Sequence, residues 1–583
     1  MDRLKITTFF TLLGFALVIL RLFQIQIISH EYYQMKAEAA HRRGEEIPAE
    51  RGKIFASGGV LVTNEEAYRV SANPQKVEDP EGVAEKLVAV FMEDSRFLSY
   101  NPVPVEEDDP RAFHAARIAE LLARKEQRGV DLARKVAAAQ VAKIKGMSIT
   151  GLFFSPDERR FYPEGPMAAP LTGFVAFDED GRDQGYNGLE GYYNGDLRGK
   201  AGRIIREYDE RTGDPILIGD STELAAQKGA DLYLTIHRGV QGVLERKIAE
   251  GVRRYGAKSG SFVVLDARTG YVLAMGNYPS FDPGNFNAPQ EEGNPYPREF
   301  RNLALATTYE PGSVMKGITL AAGLDSGKIT PAWEFVDDGP LKLGATTINT
   351  WDGKHWGKQN LAQLLQKSNN VGAAKLALEI DRDTLRSYFL NFGFGSQLGI
   401  DLEGEEAGLV KELKEWRQVD LANAGFGQGV GVTALQMVSA YAAIANGGVL
   451  MKPQVVERLI DRNGRQVNFS PEPIRRVISP ETSEVLVELL RTAVEGGESV
   501  ALRDLNYRIS GKTGTAQIPV EGKYDPNKTN ATFVGFPFKD RSFVMLIRLE
   551  EPSSSTFSAT TVVPLWVEVF REIAPLFGIS PDR

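Results

Sequence analysis

The sequence predicts a mixed α+β protein with an apolar helix near its N-terminus, and two kinds of observation carry this prediction. The segment Ile6–Leu20 contains fifteen residues without a charge, which is typical of a membrane-spanning helix. Residues 260–275 and 531–548 each read as two strands around a tight turn, and helical patterns lie between the two hairpins. We therefore expect a domain whose antiparallel sheet is built from distant pieces and flanked by helices.

Composition excludes several classes of chemistry. The chain has 583 residues, a formal net charge of −9 and no cysteine. A disulfide scaffold, a thiol nucleophile, a thiolate zinc site and an iron–sulfur cluster are therefore excluded. The acidic balance argues against a nucleic-acid partner, because phosphate backbones are held by clustered Lys and Arg. We expect no metal and no cofactor, since no ligand spacing connects the histidines His30, His41, His114, His237 and His355.

The apolar segment 6–28 predicts a single-pass membrane anchor. As one helix rising 1.5 Å per residue it reaches roughly 34 Å, which spans a hydrocarbon core of about 30 Å. A cleaved signal peptide is the alternative, but residues 21–27 contain no small-residue cleavage site. The positive-inside rule discounts long translocated domains, so we expect a cytoplasmic N-terminus and an extracytoplasmic chain after residue 28.

Two regions follow the anchor. Residues 29–228 alternate short strands and helices, beginning with a strand, a glycine turn and a second strand at 51–62. Within this region an acidic loop at 104–110 precedes residues 111–145, which read as a helical insert with a solvated, charge-rich face. Residues 229–583 contain both hairpins and end in a helix with an apolar face at about 562–577.

The motif Ser313-Val-Met-Lys316 predicts a nucleophile with a base one helical turn away. Pro311-Gly312 before it and Asp325-Ser-Gly327 after it bracket a helix that begins at Ser313. Positions i and i+3 share a face, so Lys316 lies within reach of the hydroxyl proton. A serine at the start of a helix is also a common N-cap, so this pair alone is compatible with a structural role.

Two further motifs are ambiguous when each is taken alone. Ser368-Asn-Asn370 reads as a polar turn between helices. Lys512-Thr-Gly514 resembles the end of a phosphate-binding loop, but Asn506 stands where that loop needs glycine. The glycine-rich stretch 425–431 is preceded by no strand, so it predicts a backbone corner that enters a helix at Thr433.

Taken together, the three motifs resemble a known signature. Ser-x-Asn follows Ser-x-x-Lys by 55 residues and Lys-Thr-Gly follows 144 residues later, in the order found in penicillin-binding proteins and class A β-lactamases. The chain is most similar to the class B penicillin-binding proteins, monofunctional peptidoglycan transpeptidases, over essentially its whole length. Further matching stretches are Arg51-Gly-Lys-Ile54, Arg160-Phe-Tyr-Pro163, Gly188-Leu-Glu190, Leu234-Thr-Ile236 and Gly427-Gln-Gly429. The stretch 55–59 departs from the Asp-Arg-Asn-Gly turn usual in the family.

The resemblance implies a division into three parts and a location. Residues 1–28 would form the cytoplasmic start and the transmembrane anchor, and residues 29–228 an elongated α+β pedestal of the dimerisation type. Residues 229–583 would form a transpeptidase domain similar to serine β-lactamases, with an antiparallel sheet flanked by helices. The anchor would cross the bacterial cytoplasmic membrane and hold the catalytic domain outside it.

The resemblance also implies a mechanism. Ser313 would attack the carbonyl between the two terminal D-alanines of a stem peptide, release the last one and leave an acyl-enzyme for a second stem peptide to resolve. Lys316 would act as the base, although which group takes the first proton stays open. The backbone N–H groups of Ser313 and Thr515 would form an oxyanion hole. The remaining roles would be proton relay for Ser368, positive potential for Lys512, orientation of the substrate amide for Asn370, and substrate binding for Thr513, Gly514 and Thr515.

The expected partners are stem peptides, β-lactam antibiotics as covalent inhibitors, and a polytopic glycan polymerase of the shape–elongation–division–sporulation family with other division proteins. The stretch Glu310-Pro-Gly312, with Ser-x-Asn and Lys-Thr-Gly, is more similar to the cell-division branch than to the elongation branch. Two alternatives stay open: an elongation-specific transpeptidase and a β-lactam sensor or scaffold that does not cross-link. The length of the pedestal argues against a secreted β-lactamase.

Overall fold

The fold is that of a computed structural model, which describes residues 2–33, 42–104, 107–207, 222–286, 300–497, 499–521 and 523–582. Contacts divide the chain into two compact units. One unit consists of residues 1–51 and 198–229, and the other consists of residues 52–197 and 230–583.

The helices of the described residues are α1 Asp2–Phe23, α2 Pro80–Phe91, α3 Phe97–Tyr100, α4 Pro110–Ala123, α5 Ala138–Gly146, α6 Ala169–Thr172, α7 Gly188–Tyr192, α8 Asn194–Leu197, α9 Arg238–Tyr255, α10 Met315–Asp325, α11 Leu361–Gln366, α12 Asn370–Ile380, α13 Arg382–Asn391, α14 Gln418–Ala424, α15 Ala434–Ala445, α16 Pro480–Glu495, α17 Val500–Arg503 and α18 Val562–Ile573. The strands are β1 Arg42–Ile47, β2 Ile54–Ala56, β3 Gly59–Ala72, β4 Val130–Ala137, β5 Leu152–Phe161, β6 Phe174–Phe177, β7 Asp183–Tyr186, β8 Gly202–Glu207, β9 Thr222–Leu224, β10 Asp231–Leu234, β11 Ser259–Asp266, β12 Val272–Tyr278, β13 Glu334–Asp337, β14 Leu341–Leu343, β15 Thr346–Ile348, β16 Gly357–Asn360, β17 Val449–Met451, β18 Val456–Ile460, β19 Gln466–Asn468, β20 Pro473–Arg476, β21 Ile509–Val520, β22 Lys523–Pro537 and β23 Phe543–Glu550.

The smaller unit contains the predicted anchor. Helix α1 continues through a π-helical turn at Gln24–Ile28, so that Arg3–Ile28 is one exposed apolar helix of 26 residues. By its length and composition this helix can cross a membrane. The same unit contains an antiparallel sheet in the order β1-β8-β9.

The predicted sheet of distant pieces lies in the larger unit. Its order is β12-β11-β23-β22-β21, and it contains both predicted hairpins, β11 with β12 and β22 with β23. Strand β11 also pairs antiparallel with β23, from Ser259 opposite Glu550 to Asp266 opposite Phe543. Alternate residues of β11 belong to two cores: Phe262 belongs to the core that contains residues of α9 and α18, and Val263 belongs to the core that contains residues of α10 and α15. The prediction of a sheet flanked by helices is therefore confirmed.

A second sheet combines early and late segments of the chain. Its order is β19-β18-β10-β2-β3-β4, and β5 also pairs with β3. The prediction that residues 111–145 form one helical insert is wrong for residues 130–137, because these form strand β4 between α4 and α5. The residues of β4 pair with β3, from Ala67 opposite Ala137 to Ala72 opposite Val130, and bury Leu132 in a local core. Tertiary pairing thus overrides a composition that favours a helix.

Helix α10 lies in the interior of the larger unit, where it supports the candidate site. Nine of its residues, from Met315 to Gly323, are buried, as is typical of a helix packed on all sides. A 3₁₀ turn at Gly312–Val314 leads into α10, so Ser313 lies two residues before the first α-helical residue, Met315. The elements α12, α13 and α16 pack against α10, and β21 lies at the edge of the five-stranded sheet beside it.

Candidate active site

Ser313 lies in a backbone turn that close packing fixes. Gly312 has a φ of +57°, and its N–H donates to the carbonyl oxygen of Gly427 at 3.1 Å. A Cβ on Gly427 would lie 2.2 Å from the oxygen of Gly312, so only glycine fits there. On the other side of the turn, the buried Tyr441 hydroxyl donates to the carbonyl oxygen of Val314 at 2.7 Å. The glycine-rich stretch is thus the predicted backbone corner, and it packs against the turn that contains Ser313.

Lys316 connects the first two motifs. Its side chain is fully buried, and its Nζ lies 2.9 Å from Ser313 Oγ. The same nitrogen lies 2.5 Å from the carbonyl oxygen of Ser368 and 2.8 Å from Asn370 Oδ1. Asn370 is held in this orientation because its Nδ2 donates to the carbonyl oxygen of Asn349 at 3.3 Å. The amine therefore faces two oxygens that can only accept hydrogen bonds, and two hydroxyls, those of Ser313 and Ser368, that can donate or accept.

This arrangement can hold a neutral amine. A neutral Lys316 has two hydrogens, for which the carbonyl of Ser368 and the Oδ1 of Asn370 are acceptors, and one lone pair, which can accept the hydroxyl hydrogen of Ser313 or of Ser368. The electrostatic surroundings favour the same form. Burial, and then the nearby positive charge of Lys512, hold the pKa of Lys316 well below its usual value.

Ser368 lies in a strained turn between α11 and α12. Its φ is +50°, a left-handed conformation that costs a residue other than glycine on the order of 1 kcal/mol. Its Oγ is 3.2 Å from the amines of both Lys316 and Lys512. The hydroxyl of Ser368 is thus placed between the two lysines.

The neighbouring Asn369 fixes the position of this turn through hydrogen bonds of its side chain. Its side chain is 1% exposed; Nδ2 donates to Asp337 Oδ2 at 2.7 Å, and Oδ1 accepts from the N–H of Gly372 at 2.9 Å, which caps α12. Asp337 is also buried, and it accepts from the N–H of Trp356 at 3.2 Å. A carboxylate from β13 and a helix N-terminus together hold the strained turn in place.

The third motif comes from the edge strand β21. Lys512 Nζ donates to the carbonyl oxygen and to the Oγ1 of Thr513, both at 3.1 Å, in addition to Ser368. A Cβ on Gly514 would lie 2.6 Å from the carbonyl oxygen of Pro311, so glycine allows the strand to approach the turn before Ser313. The Thr515 hydroxyl is 2.9 Å from Ser558 Oγ.

The structure brings together the three motifs of the sequence-predicted site. Lys316 directly contacts Ser313, Ser368 and Asn370, and Ser368 in turn contacts Lys512. The other predicted residues, Thr513, Gly514 and Thr515, follow Lys512 on the same strand. Within the described parts of the chain, no group of three or more His, Asp or Glu is arranged to hold a metal ion.

Sequence reasoning missed several residues that support the site. Asp337 and Ser558 belong to no motif, and each comes close to the site only through tertiary packing. Glu310 accepts from the N–H of Gly429 at 2.8 Å and from the hydroxyl of Tyr524 at 3.0 Å. Burial raises the pKa of Glu310 above its ordinary value. For Asn369 a signal existed, because an Asn before a helix is a strong N-cap.

Comparison with known proteins decides the family. A family model described as the penicillin binding protein transpeptidase domain matches residues 260–572, and one described as the penicillin-binding protein dimerisation domain matches residues 46–234. The chain belongs to the class B penicillin-binding proteins. The family predicted from the motifs is thereby confirmed, and the Ser-x-x-Lys, Ser-x-Asn and Lys-Thr-Gly residues of this penicillin-binding protein all lie within the transpeptidase match.

Relatives of this penicillin-binding protein align over nearly its full length. Stage V sporulation protein D of Bacillus subtilis is 30% identical over 100% of this chain and 86% of its own. The peptidoglycan D,D-transpeptidase FtsI of Escherichia coli is 28% identical over 98% of this chain and 91% of its own. The probable peptidoglycan D,D-transpeptidase PenA of Neisseria gonorrhoeae is 26% identical, over 98% of this chain and 92% of its own.

Solved structures share the fold of this penicillin-binding protein. Penicillin binding protein 2X of Streptococcus thermophilus superposes with a TM-score of 0.69 at 24% identity, covering 92% of this chain and 81% of that one. Penicillin binding protein 3 of Mycobacterium tuberculosis, in complex with aztreonam, gives a TM-score of 0.66 at 24% identity, covering 92% and 98%.

Proposed function

We propose that this protein is a peptidoglycan D,D-transpeptidase that cross-links stem peptides through an acyl-enzyme on Ser313. One observation carries the proposal: the buried amine of Lys316, whose pKa is lowered by burial and by the charge of Lys512, lies 2.9 Å from Ser313 Oγ. An amine in this arrangement is a general base for the hydroxyl that it faces.

In the first step, Ser313 attacks the carbonyl between the two terminal D-alanines of the donor peptide, and Lys316 takes the hydroxyl proton. The backbone N–H groups of Ser313 and Thr515 stabilise the oxyanion, a contribution of about 3 kcal/mol per donor in other enzymes. The carbon–nitrogen bond then breaks. The leaving amine takes up a proton through the hydroxyl of Ser368, which is 3.2 Å from Lys316 Nζ. Terminal D-alanine departs, and the acyl group remains on Ser313.

In the second step, an amine of another stem peptide attacks the acyl-enzyme. Its proton returns through Ser368 and Lys316, and Ser313 leaves as the restored hydroxyl. Lys512 supplies positive potential, Asn370 orients the amide of the substrate, and Thr513, Gly514 and Thr515 form the part of β21 that binds its carboxylate end. Both steps use oxygen and nitrogen groups of the chain, so we propose that they proceed without a cofactor.

The anchor and the relatives support a proposal for where the protein acts. We propose that residues 1–28 cross the cytoplasmic membrane with the N-terminus inside, that 29–228 form the pedestal and that 229–583 form the catalytic domain outside. One relative is named stage V sporulation protein D, and another is named peptidoglycan D,D-transpeptidase FtsI. These two names support a role in septal wall synthesis. The proposed partner is a polytopic glycan polymerase of the shape–elongation–division–sporulation family.

Intact-mass measurement after incubation with penicillin tests the nucleophile. We expect one stable adduct on the wild type and none on Ser313→Ala. Ser326→Ala is the matched control, because Ser326 directly follows the helix that Ser313 precedes, and it donates to the carbonyl oxygen of Gly323. An adduct that persists on Ser313→Ala would overturn the assignment.

Donor turnover tests the activity itself. A stem-peptide donor ending in D-Ala-D-Ala should release D-alanine, and an added amine acceptor should appear in a cross-linked product. An adduct with penicillin but no D-alanine release would identify a sensor or scaffold instead. Depletion of the protein from growing cells should give filaments, whereas round cells would identify an elongation enzyme.

A further inference from the structure

Strand β23 contains a buried arginine within an apolar run. The residues from Phe543 to Leu549 read Phe-Val-Met-Leu-Ile-Arg-Leu, and every residue of the strand is buried. The arginine of this run, Arg548, is 4% exposed. A charged side chain is rarely buried to this extent unless it is paired, so the groups around Arg548 indicate its role.

Three neighbouring side chains hold the guanidinium group of Arg548. Its Nε and Nη2 donate to Asn530 Oδ1, at 2.9 and 2.7 Å. Its Nη2 also lies 3.6 Å from a carboxylate oxygen of Glu550. The Cζ atom of Arg548 lies over the ring of Tyr309, at 4.6 Å from the ring centroid. The cation is thus paired with polar groups of its own sheet and covered by an aromatic ring.

The register of the five-stranded sheet places Arg548 in a row that ends at the third motif. The residues opposite one another along this row, strand by strand from β12 to β21, are Asn277, Ser261, Arg548, Thr532 and Gly514. Because Lys512 is two residues from Gly514, both lie on the same face of the sheet. Arg548 therefore belongs to the face of the sheet on which the candidate active site is built.

Tyr309 connects this face of the sheet to the nucleophile. The residue is 5% exposed, and its backbone N–H and carbonyl both pair with the backbone of Val432 at 2.9 Å. Three residues separate Tyr309 from Ser313. A Cβ on Gly514 would lie 2.6 Å from the carbonyl oxygen of Pro311, so the segment between Tyr309 and Ser313 lies against the same row of the sheet. The position of the Tyr309 ring therefore affects where this segment begins.

We propose that Arg548 is a positioning residue for Ser313 and that it acts through the ring of Tyr309. The proposal rests on the proposed function and adds to it a residue outside the three motifs. A cation is attracted to the face of an aromatic ring, and the attraction is strongest where water is excluded, as it is around these two buried side chains. A misplacement of about 1 Å near the reacting atoms can lower a rate about a hundredfold, so a small shift of the ring is enough to slow acylation.

This role is geometric and differs from that of Lys512. The pKa of Lys316 is lowered by burial and by the charge of Lys512. Removal of the Arg548 charge should therefore leave the acidic limb of the pH profile of acylation where it is in the wild type. The limiting rate of acylation should fall across the whole profile.

Rapid-mixing kinetics with penicillin test the proposal, because they separate the dissociation constant of the first complex from the limiting rate of acylation. Arg548→Met keeps a long apolar side chain and removes the charge. We expect its limiting rate to be about tenfold lower than that of the wild type and its dissociation constant to change by less than about twofold. Arg548→Lys, which keeps a cation near the ring, should recover part of the lost rate.

Arg458→Met is the matched control for this measurement. The Cζ of Arg458 lies 4.1 Å from the centroid of the Tyr233 ring, on neighbouring strands of the second sheet. This variant loses the same kind of contact away from the nucleophile, so it should keep the limiting rate of the wild type. The melting temperature of each variant reports its folding.

Variants of Tyr309 test whether Arg548 acts through the ring. Tyr309→Leu removes the ring and should lower the limiting rate about as much as Arg548→Met. Tyr309→Phe keeps a ring face for the cation and should retain most of the rate. The double variant with Arg548→Met and Tyr309→Leu should lie within about twofold of the slower single variant, since the two changes remove one interaction.

The outcomes separate the positioning role from the activity. Equal limiting rates in Arg548→Met and the wild type would overturn the role, as would equal losses in Arg548→Met and Arg458→Met. Losses that multiply in the double variant, or a Tyr309→Phe variant as slow as Tyr309→Leu, would also overturn it. The two Tyr309 variants decide the question if Arg548→Met does not fold. A wild type that penicillin acylates but that releases no D-alanine from a donor would instead overturn the proposed function, and the limiting rates would still decide the role of Arg548.

Discussion

Asn369 Nδ2 donates a hydrogen bond of 2.7 Å to the carboxylate of Asp337, and both side chains are almost completely buried. The bond connects β13 to the middle residue of the Ser-x-Asn motif, whose first residue has a left-handed φ of +50°. The positions of Ser368 and Asn370 around the amine of Lys316 thus depend on a carboxylate that does not touch them.

Asp337→Ala should lower the rate of acylation by penicillin roughly tenfold, because the loss of a buried partner costs about 1–3 kcal/mol. The alanine removes the carboxylate that accepts from Asn369 and Trp356. The measurement is the second-order acylation constant as a function of pH. A positioning role predicts a lower rate with an unchanged pH profile. Asp338→Ala is the matched control, since the Asp338 side chain is 73% exposed. Equal rates for both variants would contradict the prediction.

Lys512→Met should move the acidic limb of the pH profile of acylation to higher pH. The reason is that the charge of Lys512, after burial, lowers the pKa of Lys316, and its removal lets that pKa rise. Only neutral Lys316 can accept a proton, so more alkaline solution is then needed. Lys512→Arg keeps the charge and should keep the limb where it is in the wild type. A limb that does not move in Lys512→Met would refute the electrostatic coupling.

Lys316→Met should reduce the rate of acylation by about 10²–10⁴-fold, the usual contribution of a general base.

Lys316→Met should also change how the free energy of unfolding depends on pH. The pKa of Lys316 in the folded protein lies below its unfolded value, so the unfolded chain binds more protons and the free energy of unfolding rises with pH between the two. Lys316→Met removes this dependence and should be the more stable protein at the acidic end of that window. Urea unfolding at several pH values measures it; parallel pH dependences of variant and wild type would contradict it.

Gly427→Ala should abolish most acylation, whereas Gly429→Ala should reduce it little. Both residues have positive φ values, +82° and +73°, so the cost of backbone strain is similar. A Cβ on Gly427 would lie 2.2 Å from the oxygen of Gly312, next to the nucleophile, but one on Gly429 would meet nothing within 4 Å. Acylation rates and melting temperatures of the two variants provide the comparison. Similar rates would mean that the corner does not fix the turn of Ser313.

Much of the fold was predictable from local patterns. The β11–β12 and β22–β23 hairpins lie where alternating apolar residues flank turn signals, and the apolar run after Arg3 forms a helix. Strand β4 was not predictable, because its Ala, Arg and Lys content favours a helix and only pairing with β3 makes it a strand. Asp337 was missed for a related reason, since its role depends on a hydrogen bond to a residue 32 positions away.

The sequence by itself determined the family, the membrane-spanning length of the first helix and the proximity of Ser313 and Lys316. The motifs and the apolar run are short stretches of sequence, and helical periodicity places residues i and i+3 on one face. Only the tertiary structure decided that Ser368 and Asn370 surround the amine of Lys316, 52 and 54 residues away, and that Lys512 lies close enough to lower its pKa. Hydrogen bonding and desolvation depend on distance in space, and that distance is set by how helices α10 and α12 pack beside the edge strand β21.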